Sequence, residues 1–480
     1  MRVKAVFATA LFVLLLAVPA QAEPGLRLGF SDIDIMQHDP AQRPLELQHL
    51  KSTRASTLRL MWKWSEVELA KPPSKAVAED PNWSGYNWSI LDATLRDVAA
   101  AGVTPVVEVS SAPAWHEGAN RPPVSEAAPA GTWKPDPVAY GSFMHAAALR
   151  YSGRMADPLR PGQNLPTVRF WQIWNEPNLP VSLSPQWSKS GSSARPVSPN
   201  TYRAMLASAY TQVKSASSAT TILTAGTAPF GEPKPGGSRM PPARFVRELL
   251  CVSSGSHPKA RNCRRTPAKF DILAHHPYPI GPPGRHAINR DDVTVPDFAK
   301  LQKPLAVALK AGNVYPRKRK PIWVTEMSWD SAPPDPGGVE VTRQARYAAG
   351  AMYVLWRQGV KTLLWWNLRD DVIGDNYKNT LQSGVFYRGK TVALDTPKPL
   401  LTAFQFPFTA FGSKRGAKLW GMAPASGSVQ IQRQSGTDWK TVRTIRAGSN
   451  RIFQLRIKAS SQTRFRAVQN GEPSIDAKIL

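Results

Sequence analysis

Acidic residues are scarce in this sequence. Its 480 residues include 34 aspartates and glutamates against 61 lysines and arginines, which gives a formal net charge of +27. This excess favours an anionic partner, such as an acidic polysaccharide, a cell wall or a membrane surface, but an arginine-rich composition without a specific partner explains it equally well. The basic residues are scattered along the chain, which argues against a nucleic acid partner.

Long hydrophobic runs are absent after the N-terminus, where a membrane span would need ~20 consecutive apolar residues. The apolar stretch 5–18 follows Arg2 and Lys4 and precedes Ala20-Gln21-Ala22. This order is typical of a secretory signal peptide with its cleavage site. We therefore expect a signal peptide over residues 1–22, no membrane span, and a mature protein secreted into the extracellular or cell-wall space.

Cysteine is limited to two residues, Cys251 and Cys263. In an exported protein, two cysteines this close in sequence most simply form one disulfide. Together with His257 they are too few to build a metal site, and no other cluster of ligands stands out. The sequence therefore predicts no metal and no organic cofactor.

Strand-like and helix-like segments alternate over most of the chain, which favours a parallel α/β architecture. Eight apolar segments are predicted as strands, at residues 26–30, 57–62, 103–109, 168–174, 221–225, 270–274, 322–325 and 362–366. Eight such strand–helix units predict a (β/α)8 TIM barrel over residues 23–411.

The pattern changes near residue 412. Short alternating runs, such as 428–432 and 452–457, are separated by Gly, Ser and Asn, which predicts a small C-terminal antiparallel β-sandwich over residues 412–480. It is either a stabilising appendage or a binding module. Trp420 and Trp439 could stack on sugar rings, but a place in the core is the commoner fate of tryptophan.

Two glutamates follow strands that lie across the mouth of such a barrel. Glu176 comes directly after the fourth predicted strand and before Pro177, and Glu326 ends the seventh. Glycosidic cleavage needs one protonated carboxyl group, which protonates the leaving oxygen, and one ionised carboxylate, which attacks the anomeric carbon. If the pair works by retention, the two carboxyl groups should lie roughly 5 Å apart.

Other polar residues are expected at the same mouth. Arg59, near the end of the second strand, could keep the nucleophile ionised by pairing with it. Asn175 could donate a hydrogen bond to the sugar 2-hydroxyl, an interaction that tightens in the transition state.

The ends of the sixth and eighth strands add aromatic and imidazole groups. The Tyr278 hydroxyl could reach the Glu326 carboxylate, and His276 is either part of the site or a hydrogen-bonded loop histidine. By strand alternation, the neighbouring His275 should point the other way. Trp365 and Trp366 are both candidates for an aromatic surface under a sugar ring, with one of them expected to face the mouth.

Several short motifs resemble the retaining glycoside hydrolases of clan A. They are Trp174-Asn175-Glu176-Pro177, His276-Pro277-Tyr278 and Thr325-Glu326. Within the clan, family 39 and its relatives are most similar in Leu58-Arg59-Leu60, Trp64-Ser65-Glu66-Val67-Glu68, Ser111-Ala112-Pro113 and Trp365-Trp366-Asn367-Leu368-Arg369-Asp370. The resemblance covers about residues 26–411. It implies Glu176 as acid/base, Glu326 as nucleophile, and a double displacement that retains the anomeric configuration.

The functional hypothesis is therefore a secreted, monomeric retaining glycosidase acting on an oligo- or polysaccharide, and the basic charge suggests an acidic glycan. One alternative is a non-catalytic polysaccharide-binding or cell-wall-associated protein on a barrel scaffold. Another is a transglycosylase, which shares the covalent intermediate but passes the sugar to another sugar.

Overall fold

The structure is a computed structural model that describes residues 25–32, 40–189, 191–263, 265–374, 376–377, 380–413 and 416–479. The predicted signal peptide, residues 1–22, lies outside the described residues.

Eight parallel strands form one sheet, which is the centre of the fold. In chain order they are β1 (Arg27–Asp32), β2 (Thr57–Lys63), β3 (Thr104–Ser110), β4 (Phe170–Ile173), β5 (Thr221–Thr224), β6 (Leu273–His275), β7 (Ile322–Val324) and β8 (Val360–Trp366). Their order in the sheet is β5-β4-β3-β2-β1-β8-β7-β6. The sheet closes between β5 and β6, where Leu223 forms an isolated parallel bridge with Ile272 and the Thr224 amide donates to the Ile272 carbonyl at 3.0 Å. The predicted TIM barrel is confirmed.

A helix follows each strand and covers the barrel. The helices are α1 (Arg43–Ser52), α2 (Ser89–Ala100), α3 (Pro137–Arg150), α4 (Ser198–Ala216), α5 (Pro242–Leu249), α6 (Ala299–Ala311), α7 (Val341–Arg357) and α8 (Pro399–Gln405). Their ends follow ordinary capping chemistry. The carboxylates of Asp136 and Glu340 accept the first free amides of α3 and α7, and Gly312 ends α6 with a positive φ of 79°.

Side-chain alternation along the strands separates two environments. On β4, Trp171 and Ile173 point outwards into the main hydrophobic core beneath the helices, whereas Phe170 belongs to a small apolar cluster in the barrel interior. There it packs on Trp323 with ring centroids 5.1 Å apart. This cluster fills the barrel at the N-terminal ends of the strands. Polar interior residues, such as Gln172, therefore lie above an apolar plug.

The C-terminal part is a two-sheet antiparallel unit, as predicted. Its strands are β9 (Phe408–Ser413), β10 (Gly416–Met422), β11 (Gly427–Ser435), β12 (Asp438–Ala447), β13 (Ile452–Ile457) and β14 (Arg464–Gln469). One sheet has the order β9-β10-β13, and the other contains β12-β11-β14. Phe408, Leu419, Val429 and Phe465 share the core of this unit. Since β9 begins at Phe408, pairing in this unit starts before the predicted boundary at residue 412.

The sandwich packs against α7. Trp420 is fully buried and contacts Tyr353 and Trp356 of α7, with ring centroids 5.8 and 5.9 Å apart. It is therefore a core residue rather than a surface for sugar stacking. The Arg346 side chain of the same helix forms an ion pair with Asp476 at 2.9 Å.

Cys251 and Cys263 form the predicted disulfide, with Cα atoms 6.2 Å apart. Within the described residues, no helix has the length and apolar character that crossing a bilayer would require.

Replacing both cysteines by serine should lower the free energy of unfolding by about 2–4 kcal/mol, because the cross-link restricts the unfolded chain. Chemical denaturation of the double variant and the wild-type protein measures the difference. As a control, a reductant should destabilise the wild type and leave the double variant unchanged. Equal unfolding midpoints would show that the bridge contributes no stability.

Candidate active site

The loop after β4 carries the first glutamate. β4 ends at Ile173, one residue before the predicted strand ends, because Trp174 adopts a left-handed backbone with φ 70°. Glu176 also has a positive φ, of 36°, and its amide donates to the Gly226 carbonyl at 3.0 Å. Such conformations cost roughly 1–3 kcal/mol each and persist only where neighbouring contacts hold them. Here they turn the chain so that Glu176 lies at the barrel mouth.

Arg59 is the centre of the polar layer in the barrel interior. Its side chain is fully buried and donates to Glu326 Oε1 at 2.5 Å, Gln172 Oε1 at 2.6 Å, Asn175 Oδ1 at 2.9 Å and Ser31 Oγ at 2.9 Å. One guanidinium thereby fixes side chains from β1, β4, the loop after β4, and the end of β7.

Glu326 is held at both carboxylate oxygens. Arg59 binds Oε1, and the Tyr278 hydroxyl donates to Oε2 at 3.1 Å. The residue is only 6% exposed. These two donors fix the orientation of the Glu326 side chain.

Glu176 has the opposite environment. Its pKa is raised to about 7 by burial, and the nearby charge of Arg59 only partly opposes this shift. Its side chain remains 17% exposed, so the carboxyl group is also open to the mouth. Near neutral pH a large share of the molecules therefore carries a proton on Glu176.

The distance between the two glutamates is short. One carboxylate oxygen of Glu176 lies within 4.8 Å of one of Glu326, and a His276 nitrogen lies within the same distance of both. This separation agrees with the roughly 5–5.5 Å of retaining glycosidases and falls short of the roughly 6.5–9.5 Å that leaves room for a water in inverting enzymes.

Gln172 connects Arg59 to Thr325 by hydrogen bonds, and Arg59 fixes the orientation of its side-chain amide. Since a guanidinium can only donate, the Gln172 atom beside it must be the amide oxygen. The amide nitrogen then donates to the Thr224 carbonyl and to Thr325 Oγ1, both at 3.1 Å.

Thr325 in turn fixes the tautomer of His276. Its oxygen accepts from Gln172, so its own proton must go to another acceptor, and His276 Nε2 is 2.9 Å away. If Nε2 carried the proton instead, the buried threonine hydroxyl would have no acceptor among the described residues. The imidazole proton therefore sits on Nδ1, which donates to Glu176 Oε1 at 2.9 Å. The Glu176 proton is left on Oε2.

His276 fits only because Gly226 faces it. A Cβ at that position would lie 1.9 Å from His276 Nε2. Burial lowers the pKa of His276 to about 4, so the imidazole is neutral in the working range. His275 points the other way, as expected, and its ring nitrogens bond the Thr227 hydroxyl at 2.8 Å and the Val293 carbonyl at 3.0 Å.

No family model and no curated protein matches the sequence, but solved structures match the fold. One is a family 39 glycoside hydrolase from the gut symbiont Bacteroides cellulosilyticus WH2, at 16% identity and TM-score 0.53, covering 95% of this chain and 80% of that chain. A GH39 β-xylosidase from Caulobacter crescentus matches at 14% identity and TM-score 0.51, covering 92% and 95%. The GH39 enzyme from Xanthomonas axonopodis pv. citri matches at 13% identity and TM-score 0.50, covering 95% and 94%. The chain has the fold of family 39 glycoside hydrolases. The resemblance inferred from the motifs is thus confirmed at the level of the fold.

The prediction that Trp365 binds substrate is wrong. Trp365 is fully buried, donates from its indole nitrogen to the Ser383 carbonyl at 2.8 Å, and packs on Trp329 and Phe404. Successive residues of β8 face opposite sides of the strand, and Trp365 faces the helices. Trp366 faces the barrel interior and is partly exposed. Of the two tryptophans, it is therefore the one that can contact a ligand.

Two residues of this layer were not predicted from the sequence. Gln172 lies inside β4 and Thr325 directly follows the last residue of β7, and only the alternation with outward-facing apolar neighbours marks them as interior. The sequence also does not mark Glu108 on β3, which is fully buried. Burial raises its pKa to about 7, opposed by Arg59.

Glu176, His276 and Glu326 are also the donors that could hold a metal ion. Arg59 already provides a fixed positive charge at Glu326, and both imidazole nitrogens of His276 have partners within 2.9 Å. A cation here would have to displace these contacts. The arrangement suits proton transfer and nucleophilic attack better than metal binding.

A Glu176→Gln variant isolates the protonation of this residue. The unfolded chain releases the Glu176 proton near pH 4.5, whereas the folded chain holds it up to about 7. Its contribution to stability is therefore fully present below pH 4.5 and is lost as the pH rises through 7, by up to about 3 kcal/mol. The glutamine variant should lack this loss.

Urea unfolding of the wild type and the Glu176→Gln variant from about pH 4 to about pH 8 measures this pH-dependent loss of stability. The free energies of unfolding should diverge as the pH rises, with the wild type falling relative to the variant. Parallel curves would mean that Glu176 titrates normally.

Proposed function

We propose that this chain is a retaining glycoside hydrolase, with Glu326 as nucleophile and Glu176 as acid/base. The observation that carries the proposal is the pair itself: one oxygen of each carboxyl group lies within 4.8 Å of the other, Glu326 is bound by the Arg59 guanidinium and the Tyr278 hydroxyl, and the pKa of Glu176 is raised to about 7. Opposite protonation states at this separation are what double displacement needs.

In the first step, a Glu326 carboxylate oxygen attacks the anomeric carbon while Glu176 Oε2 gives its proton to the departing glycosidic oxygen. The bond to the leaving group breaks and a glycosyl ester forms on Glu326. In the second step, Glu176, now ionised, takes a proton from water. The water oxygen attacks the anomeric carbon, the ester bond breaks, and Glu176 regains its proton.

Two further side chains are assigned to substrate binding. Arg59 binds Asn175 Oδ1 and so directs the amide nitrogen away from itself, free to donate to a sugar hydroxyl. Trp366 offers a partly exposed aromatic face at the same mouth. His276 acts through Glu176 and is a positioning residue.

The setting proposed for this activity is extracellular. The order of charged, apolar and small residues in 1–22 supports export of the hydrolase into the extracellular or cell-wall space. The substrate is an oligo- or polysaccharide, and the net charge of +27 favours an acidic one.

The test is hydrolysis of α- and β-configured aryl glycosides of neutral and acidic sugars, each with a good and a poor leaving group. Glu176→Gln should lower kcat/KM about 10²–10⁴-fold on poor leaving groups and far less on good ones, which need no proton. Glu326→Gln should abolish turnover of both. Glu66→Gln, the same change at a carboxylate that is 59% exposed, is the control and should act like wild type.

Each alternative has its own outcome. Binding of a glycan without turnover in any protein indicates a non-catalytic binding protein, and products larger than the substrate indicate transglycosylation. Equal losses on good and poor leaving groups for Glu176→Gln would remove Glu176 from the acid role.

Thr325→Val should lower kcat about tenfold or more, because His276 loses the hydroxyl that fixes its tautomer. Without an imidazole N–H donor, the ionised form of Glu176 is less favoured, so the alkaline limb of the pH profile should move to higher pH. Thr325→Ser keeps the hydroxyl and should restore both. A valine variant with the wild-type pH profile would contradict the role of Thr325.

A further inference from the structure

A second cavity lies at the N-terminal ends of the barrel strands, on the face opposite the carboxylate pair. Its volume is about 1070 Å³, slightly above the roughly 300–1,000 Å³ of small-molecule sites. The starts of β1, β5 and β8 line one side, and Met422 and Asn450 of the sandwich line the other. Barrel and sandwich build this cavity together.

The lining is strongly basic, with seven lysines and arginines against one carboxylate, Asp271. Asp271 is already paired with Lys214 at 3.0 Å. Arg54 at the rim is paired with Glu472 at 2.7 Å. These two ion pairs neutralise Lys214 and Arg54, and the remaining five cations leave a positive excess on one concave surface.

Three of the cations have no carboxylate partner among the described residues. Arg27, Lys318 and Arg319 are exposed at the cavity and form no ion pair there. Arg27 lies over the ring of Trp323 at 5.8 Å from its centroid, which holds the guanidinium at the cavity floor.

Burial is the main cause of the lowered pKa values of two bases beside the cavity, and neighbouring cations add to it. The pKa of Arg451 is lowered by burial and then by the charge of Arg54. Burial also lowers the pKa of the adjacent Lys320 to about 8, and Lys318 and Lys214 add to that effect against Asp271. A bound anion would relieve this repulsion.

We infer that this cavity binds a carboxylate-bearing segment of an acidic polysaccharide, at a site separate from the carboxylate pair. The inference does not depend on the proposed function, because it concerns binding at the opposite face. It also gives a small part of the excess positive charge of the chain a location, which the scattered sequence positions do not reveal.

A polysaccharide fits better than a nucleic acid. Single-stranded nucleic acids bind along basic grooves with exposed aromatic rings on which the bases stack. The aromatic residues of this cavity offer little stacking surface: Trp323 is only 4% exposed, Phe404 is buried, and Phe170 is half-buried against the Trp323 ring. The accessible groups are cations, which suit carboxylates along a sugar chain.

The experiment is calorimetric titration of the full chain with oligomers of polygalacturonate, and with the same oligomers as methyl esters. The wild type should bind the acid form and not the ester. The variant Arg27→Gln/Lys318→Gln/Arg319→Gln should bind the acid form about tenfold or more weakly.

The matched control is Lys440→Gln/Arg443→Gln/Arg446→Gln, which removes three exposed cations from β12 of the sandwich. It should change the affinity less than about twofold. Equal losses in the two triple variants would assign the binding to net charge and overturn the inference. So would equal binding of acid and ester, or a preference for a single-stranded oligonucleotide of equal charge. Unchanged thermal unfolding of both variants ensures that the comparison is between folded proteins.

Discussion

The buried guanidinium of Arg59 is the interaction on which the site depends. It lies in the barrel interior above an apolar plug and binds four side chains, from β1, from β4 and the loop after it, and from the segment after β7. A buried charge is tolerated only when it is paired and its donors are satisfied. Glu326 provides the pairing and Gln172 one of the remaining acceptors. Once Arg59 is placed, the orientation of both follows.

The two glutamates differ in their contact with the Arg59 guanidinium. Glu326 forms an ion pair with Arg59 at 2.5 Å, whereas burial raises the pKa of Glu176 to about 7 and the charge of Arg59 only partly opposes this shift. A chain of hydrogen bonds through Gln172, Thr325 and His276 connects them. Both carboxyl groups are thus connected to the same guanidinium, and the imidazole N–H at Oε1 leaves the Glu176 proton on Oε2.

The sequence predicts the barrel and the ends of its strands because apolar runs followed by a carboxylate leave a clear pattern, and Glu176 and Glu326 were found in this way. It does not predict Gln172 or Thr325, because a polar residue inside a strand becomes informative only when its facing direction is known. The wrong prediction that Trp365 binds substrate has the same origin. Successive residues of β8 face opposite sides of the strand, so that Trp365 faces the helices and Trp366 faces the barrel interior. The basic cavity could not be predicted from the sequence, because its cations come from segments far apart in the chain.

The central claim is that Glu326 becomes covalently glycosylated. The most direct measurement is mass spectrometry of Glu176→Gln after rapid acid quenching of its reaction with an activated aryl glycoside. In this variant the first step proceeds and the second is slow. The account predicts a mass increase of one glycosyl unit, located by peptide mapping on Glu326 and absent when Glu326 is also replaced by Gln. Turnover with no adduct, accompanied by a first product of inverted anomeric configuration, would contradict it.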